Sequence, residues 1–363
     1  MDRRTFLKLC GLIPFIKWGK DKEMAYSKTA EIDLVTIAES RAMQCCITST
    51  HLYAFHWDGY LYKIRLSDFT LVDSLNIGIG GDKDYYRMSI SVDNTFLILS
   101  YESGFNVLTI KKVNLSSFTV TDISTPSITG FLIAWDMIIG NGNYFYVSVA
   151  ISPLSGNSRI YRFNTSDLSL VDYISRPTRY WSQSFLRISP YVYCSDGYDM
   201  ILRLNETSFT IDAFSTNLPA DMSGNLHFTY DANYIYCGGY DVVSWSDGVV
   251  IRISYPDLSS YDYYTHESSI DGLAITGSNL FYWCYSSDYL RIIDPTNLGT
   301  IKQQFDNAKI ISGIIQSSNS CFVGFTYLNP IELPGMQKAV KYCGSDLPIS
   351  SILFLDEEPI ILI

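Results

Sequence analysis

The chain has 363 residues, 47% of them hydrophobic and 15% aromatic, with only 17% charged. That apolar content supports a packed core and argues against an intrinsically disordered chain, and the abundance of Tyr, Ile, Ser, Thr and Asn over helix formers is strand-and-turn composition. The net charge is −11, and because residues 1–22 carry +4 the remainder carries −15, an acidic body that repels phosphate backbones and argues against nucleic-acid binding.

The chain opens with Met1-Asp2-Arg3-Arg4-Thr5-Phe6-Leu7-Lys8. This resembles the twin-arginine export signal, which has two arginines, one variable residue and then Phe-Leu-Lys. A short apolar stretch, Leu9 to Ile16, follows and is interrupted by Pro14; Lys17 and Lys20 come soon after. The resemblance implies an exported protein, periplasmic or extracellular. The plainer reading, an untidy basic N-terminus, leaves a cytoplasmic protein. Residues 1–30 are therefore set apart as a targeting-like segment, and 31–363 are expected to form one domain. No apolar run approaches the roughly 20 residues that a transmembrane helix needs.

Next comes an isolated strand-like run, Ile32 to Ile37. A repeat begins after it. Tyr53-Ala54-Phe55-His56 is an aromatic–apolar strand ending at a polar or small residue. It recurs as Leu97-Ile98-Leu99-Ser100, Phe145-Tyr146-Val147-Ser148, Tyr191-Val192-Tyr193-Cys194, Tyr234-Ile235-Tyr236-Cys237, Phe281-Tyr282-Trp283-Cys284 and Cys321-Phe322-Val323-Gly324. The last residues form a column, 56, 100, 148, 194, 237, 284 and 324, with a beat of 40 to 48 residues. Small residues fill six of its seven places, so the cysteines in it are expected to pack between sheets rather than react.

Each copy lies between turns. Asn/Asp/Gly turns precede most of them (Asp93-Asn94, Asn141-Gly142-Asn143, Asp231-Ala232-Asn233), and a polar corner closed by Phe or Leu follows the next strand. The corners are Ser67-Asp68-Phe69, Ser116-Ser117-Phe118, Ser166-Asp167-Leu168, Thr207-Ser208-Phe209, Pro256-Asp257-Leu258 and Thr296-Asn297-Leu298. Four short strands per period of about 45 residues is the spacing of a β-propeller blade. The fold class is therefore all-β, a β-propeller of four-stranded antiparallel blades. The seven column positions lead us to expect seven blades, with the Ile32–Ile37 strand completing the last. Eight is the alternative, if 349–355 and 360–363 supply strands of a further blade.

The stretch from Phe281-Tyr282-Trp283-Cys284-Tyr285 to Leu290-Arg291-Ile292-Ile293-Asp294-Pro295-Thr296-Asn297 resembles the YVTN-type propeller repeat. The likeness is good in this blade and weaker in the others, where Asp294 is replaced by Leu66, Asn164 or Asn205. WD-repeat propellers are a related comparison, but their Gly-His and Trp-Asp signatures are not in the expected places. The resemblance implies a propeller, often extracellular, and no single activity.

Two candidate sites follow. The loops expected on one face carry Trp57, Asp58, Tyr85, Tyr86, Arg87, Arg179, Tyr180, Trp181, Tyr198 and Trp245. Aromatic rings beside carboxylates and guanidiniums suit sugars, and Tyr, Trp and Arg also dominate protein hot spots. An aromatic-rich chain will place some such residues in loops without a function. The second candidate is an axial funnel, where inner strands begin with Gln44, Arg87, Asp136, Gln183, Asn225, Asp271 and Ser312. Such a ring solvates a channel in any propeller and has room for a structural cation.

Enzyme signatures are weak. The eight cysteines form no Cys-x-x-Cys pair and the four histidines are scattered, so no haem, zinc or other cofactor is expected. Gly-x-Ser-x-Gly and phosphate-loop patterns do not occur. The favoured function is a non-catalytic, exported propeller that binds a protein or glycan through its loop face. The alternative is a propeller enzyme, a lyase or hydrolase working in the axial funnel.

Overall fold

The computed structural model describes the backbone of residues 25–36, 44–55, 59–78, 87–104, 107–128, 131–151, 157–176, 184–195, 200–215, 218, 222–241, 247–266, 270, 272–276, 278–284, 289–306, 310–318, 321–327, 336–345, 352–355 and 358–361. Side chains are described at most of these positions between Cys45 and Gln304. Every regular element among them is a strand.

After β1 (Ala25–Thr36) the strands come in fours. Blade 1 is β2 (Gln44–Ile47), β3 (His51–Phe55), β4 (Tyr60–Arg65) and β5 (Thr70–Asn76). Blade 2 is β6 (Arg87–Ile90), β7 (Phe96–Gly104), β8 (Val107–Asn114) and β9 (Thr119–Ser124). Blade 3 is β10 (Phe131–Ile139), β11 (Tyr144–Ile151), β12 (Asn157–Asn164) and β13 (Leu170–Arg176). Blade 4 is β14 (Phe185–Ile188), β15 (Tyr191–Ser195), β16 (Ile201–Asn205) and β17 (Thr210–Phe214). Blade 5 is β18 (Met222–Tyr230), β19 (Tyr234–Asp241), β20 (Gly248–Ser254) and β21 (Tyr261–His266). Blade 6 is β22 (Gly272–Thr276), β23 (Asn279–Cys284), β24 (Tyr289–Asp294) and β25 (Asn297–Asp306). Within each blade the pairing is antiparallel and follows chain order.

Six blades of consecutive strands are thus present among the described residues, which corrects the expectation of seven or eight. The small-residue column counts second strands, and its last member, Gly324, falls on β27 (Cys321–Tyr327). With β26 (Ile310–Ser318) and β28 (Met336–Ser345), that strand belongs to a sheet made from both ends of the chain, in the order β1-β28-β27-β26. Among the described residues the closing stretches supply a two-stranded hairpin, β29 (Ile352–Leu355) with β30 (Glu358–Ile361), and not a further set of four. By compactness, residues 30–341 form one unit, which holds the blades; 1–29 with 342–363 form another, which holds the hairpin. The inner strands β2, β6, β10, β14, β18 and β22 lie side by side in order, and β26 lies against β22 and β2.

The core is a set of layers between blades. Period-2 alternation sends successive side chains of one strand to opposite neighbours. In β7, Leu97 and Leu99 pack with Tyr53 and Phe55 of blade 1, while Ile98 packs with Phe145 and Phe163 of blade 3. In β15, Val192 and Cys194 face Tyr146 and Ile160 of blade 3, and Tyr193 faces Ile235, Cys237 and Ile251 of blade 5. In β19, Tyr236 turns the other way, to Leu280 and Tyr282 of blade 6. The small column explains itself here: Ser100, Ser148, Cys194 and Cys237 are all fully buried, where a longer side chain would push two sheets apart. Neither thiol is in a disulfide, and burial pushes that of Cys237 well up, so it stays protonated and inert.

The corners show why Asp or Asn and Phe or Leu recur. Asp68, Asn114, Asp167, Asn205 and Asp257 each accept the amide of the residue two positions on, fixing a tight turn. Phe69, Phe118, Leu168, Phe209 and Leu258 then adopt the left-handed conformation, with φ between 51 and 60. That costs a residue with a Cβ roughly 1–2 kcal/mol. Every one of the five is buried, and burying such a side chain gains about 1.5–3 kcal/mol, so packing wins over strain. Blade 6 closes differently, with Asp294 paired to Asn297 across Pro295-Thr296.

A second periodic feature joins the blades. The third strands carry Lys63, Lys112, Arg162, Arg203 and Arg252, and the cross-strand neighbour on the fourth is Asp73, Asp122, Asp172, Asp212 or Asp262. The cations reach forward into the next blade. Lys63 donates to Leu115 O (3.3 Å), Lys112 to Thr165 O (2.8 Å), Arg203 to Pro256 O (2.6 Å) and Arg252 to Pro295 O (2.8 Å). Arg162 instead stacks on Phe209, 4.3 Å from the ring centroid, and holds Asp172 through two bonds of 2.9 and 2.7 Å. Arg203 and Arg252 also lie over Tyr191 and Tyr234 of their own blades. In blade 6 the pair is Arg291 with Gln304.

Two outcomes test these features by urea unfolding. At Leu168, with its φ of 60, Leu168→Ala should cost about 2–5 kcal/mol, and Leu168→Gly should cost no more than the alanine variant, reversing the usual order because glycine relieves the backbone. Arg203→Met should cost about 0.5–1 kcal/mol by removing the exposed links to Asp212 and the Pro256 carbonyl, while Arg203→Lys should recover part of it, as lysine already serves in blades 1 and 2.

Candidate functional site

Inner strands begin, and second strands end, at the loop face of the propeller. The small column therefore marks the level at which the axis opens. Arg87, the first residue of β6, pairs with Ser100, and Asp136 pairs with Ser148, so both stand at that level. His227 of β18 pairs with Gly238, one position from Cys237. A side chain at Gly238 would collide with Leu273 and Ile270, its Cβ meeting their carbons at 2.8 to 2.9 Å; the second strand has to be bare there so that blade 6 can close against it.

Three charged or titratable side chains from three blades stand at this level. Asp136 is held at both oxygens: Oδ1 accepts the Met137 amide at 2.8 Å, and Oδ2 accepts the Phe185 amide of blade 4 at 2.6 Å. The positive charge of Arg87 acts on both Asp136 and His227. Each of the three still touches solvent, as groups lining a narrow opening do.

Burial dominates their ionisation. It pushes Asp136 up to about 6, against the pull of Arg87 and the two amides. It pushes His227 down to about 4, helped by Arg87, so the imidazole is neutral at physiological pH with one donor and one acceptor nitrogen. Among the described residues, this level thus carries the cation of Arg87, the anchored carboxyl of Asp136 and the neutral ring of His227.

Of the residues expected at the funnel, Arg87 stands on β6 and Asp136 on β10. Gln44 lies on β2 and Asn225 on β18, placed by backbone only; Gln183 and Asp271 lie outside the described residues. So do the loop-face residues Trp57, Asp58, Tyr85, Tyr86, Arg179, Tyr180, Trp181, Tyr198 and Trp245. Sequence reasoning passed over His227. Counting back a fixed offset from Cys237 lands on Asn225, but β18 has an irregularity in register between Ser223 and His227. Such a bulge re-aims side chains, and nothing in residues 222–230 announces it. Among the described residues, no three His, Cys, Asp or Glu side chains converge as a metal would require. No helix there is long and apolar enough to cross a membrane.

No protein-family profile matches the chain, and no curated protein matches it. The fold stands as a β-propeller of four-stranded antiparallel blades on its own geometry.

The two titrations oppose each other. Asp136, raised above its ordinary 3.8, favours the folded state at low pH, and that contribution is lost as pH rises through about 6. His227, lowered from 6.5, must stay neutral in the folded state, so its contribution is lost as pH falls towards about 4. His227→Gln removes only the second. The variant should therefore gain stability relative to the parent as pH falls from 6.5 to 4, measured as the difference between the two urea midpoints at each pH.

Proposed function

We propose that the protein is an exported, non-catalytic β-propeller that binds a protein or glycan partner through its loop face. The observation that carries this reading is that Arg87, Asp136 and His227, from blades 2, 3 and 5, stand at the level of the small-residue column, at the loop-face end of the second strands. The nearby Cys194 and Cys237 thiols are buried, which counts against a thiol nucleophile there. The aromatic loop residues Trp57, Tyr85, Tyr86, Trp181 and Trp245 supply the flat, rigid contacts that glycan faces and protein hot spots use.

The experiment is a glycan array and an affinity capture from extracellular material, each with the parent protein and with Trp57→Ala and Trp181→Ala. A partner retained by the parent and lost, by about tenfold or more in affinity, from folded loop variants is expected. Release of products from the bound polysaccharide or peptide would overturn the non-catalytic reading. For export, residues 1–40 fused to a reporter should leave the cytoplasm of a bacterium with a twin-arginine system, and Arg3→Lys with Arg4→Lys should keep it inside. A fusion indifferent to that change would return the basic N-terminus to the plain, cytoplasmic reading.

A further inference from the structure

We propose that the joint between blades 3 and 4 is a binding site for one internal water molecule, held between the Glu206 carboxylate and the Tyr146 hydroxyl, and that this water is a structural ligand of the propeller.

The site is a break in a repeat. The first residue after each third strand donates its amide to the turn between the first two strands of its own blade: Leu66 to Thr50 O, Leu115 to Thr95 O, Thr165 to Asn143 O, Glu206 to Pro190 O and Tyr255 to Asn233 O. The backbone is the same in these five blades, and the side chain differs. Leu66 and Leu115 are buried and apolar. The Thr165 hydroxyl donates to Gly142 O at 2.5 Å, and that of Tyr255 lies 3.0 Å from Asp231 O. Glu206 puts a carboxylate at this position, on a side chain only 1% exposed. The cation column changes at the same joint. Lys63, Lys112, Arg203 and Arg252 donate to corner carbonyls, whereas Arg162 stacks on Phe209.

One carboxylate oxygen is accounted for: Glu206 Oε1 accepts from Arg187 Nε at 3.1 Å. Oε2 is buried with no hydrogen-bond partner, and so is the hydroxyl of Tyr146, a fully buried ring of blade 3. Gly140 shows how near the two residues are. A Cβ there would lie 2.5 Å from Glu206 Oε1 and 2.8 Å from Tyr146 Cε2, the ring atom next to the one that bears the hydroxyl. The bare glycine is what lets the carboxylate reach the edge of the ring. Phe209 stacks on the same ring, 5.7 Å between centroids, and holds it in place. Burial, with the charge of Glu206 added, pushes the Tyr146 hydroxyl well up, so it keeps its proton and remains a donor.

Two bare polar groups side by side in a packed interior are unfavourable, and native proteins almost always satisfy them. The species that does so here must accept from a phenol and donate to a carboxylate. Water does both, and buried waters bridge groups of this kind. A metal cation would meet the Arg187 guanidinium, which already balances Glu206, and an anion would meet the carboxylate itself. A larger neutral ligand is kept out by Val192, Cys194 and Leu204, which pack in the same layer as Tyr146.

The test is a high-resolution crystal structure of the full-length protein, with solution measurements on two variants. A single solvent peak should lie roughly 2.5–3.0 Å from both Glu206 Oε2 and the Tyr146 oxygen. Magnetic relaxation dispersion of solvent water should show one long-lived water fewer in Tyr146→Phe than in the parent. The urea midpoint of that variant should fall, because the carboxylate loses its bridge. In a Glu206→Leu background, which restores the leucine of blades 1 and 2, Tyr146→Phe should no longer lower the midpoint. The inference is overturned if the two oxygens bond directly, if the site is dry, or if the density there has the coordination of a metal ion. It is overturned equally if Tyr146→Phe keeps every long-lived water, or if it raises the midpoint, as removal of a hydroxyl from a dry site would.

Discussion

A four-stranded antiparallel sheet with apolar residues on both faces cannot bury itself. Everything else in this protein follows from that constraint. Strands such as β7, β15 and β19 alternate between two neighbours instead of between core and solvent. Each blade therefore needs a blade on either side, and the gap between them sets what fits: aromatic rings where there is room, and Ser, Cys or Gly where the sheets come closest. The cation column acts on the same gap further out. Lys63, Lys112, Arg203 and Arg252 tie one blade to the corner carbonyl of the next, which holds in register what dispersion alone would let slide.

The axial mouth extends the principle inward. Asp136 takes an amide from its own blade and one from blade 4, so a side chain that could serve chemistry is first of all a link between sheets. The same packing lifts its pKa and lowers that of His227.

Much of the fold was legible in the sequence. The second-strand motif, the polar corners and the four-strand period can be read by eye, because a period-2 alternation and a turn are local properties. Cys194 could be assigned to packing on the strength of its column alone. The number of complete blades could not be read the same way. Gly324 carries the same local pattern as Ser100, yet its strand belongs to a sheet that β1, from the other end of the chain, completes by lying against β28; the isolated Ile32–Ile37 run was the local mark of that closure. Nor did the cation column stand out, since Lys63 or Arg162 within a strand looks like any polar residue in an alternation; the regular Asp nine or ten positions later was the available signal. At the mouth, Arg87 and Asp136 follow from the repeat, whereas His227 depends on an irregularity within β18.

The aspartates of that column have a further consequence. Each blade ends in a strand whose outer edge has no partner within its sheet, and these edges carry exposed apolar side chains such as Val72, Ile123, Tyr173, Phe214 and Tyr263. Bare, apolar edges invite strands of other molecules to add on. Asp73, Asp122, Asp172, Asp212 and Asp262 set one negative charge near the middle of five of the six edges, and the pairing of third with fourth strand slips by a residue beside the cation in blades 1 to 4. A molecule approaching edge to edge would have to bring like charges together along a twisted strand. The aspartate beside each cation thereby also makes edge-to-edge pairing at the rim less favourable.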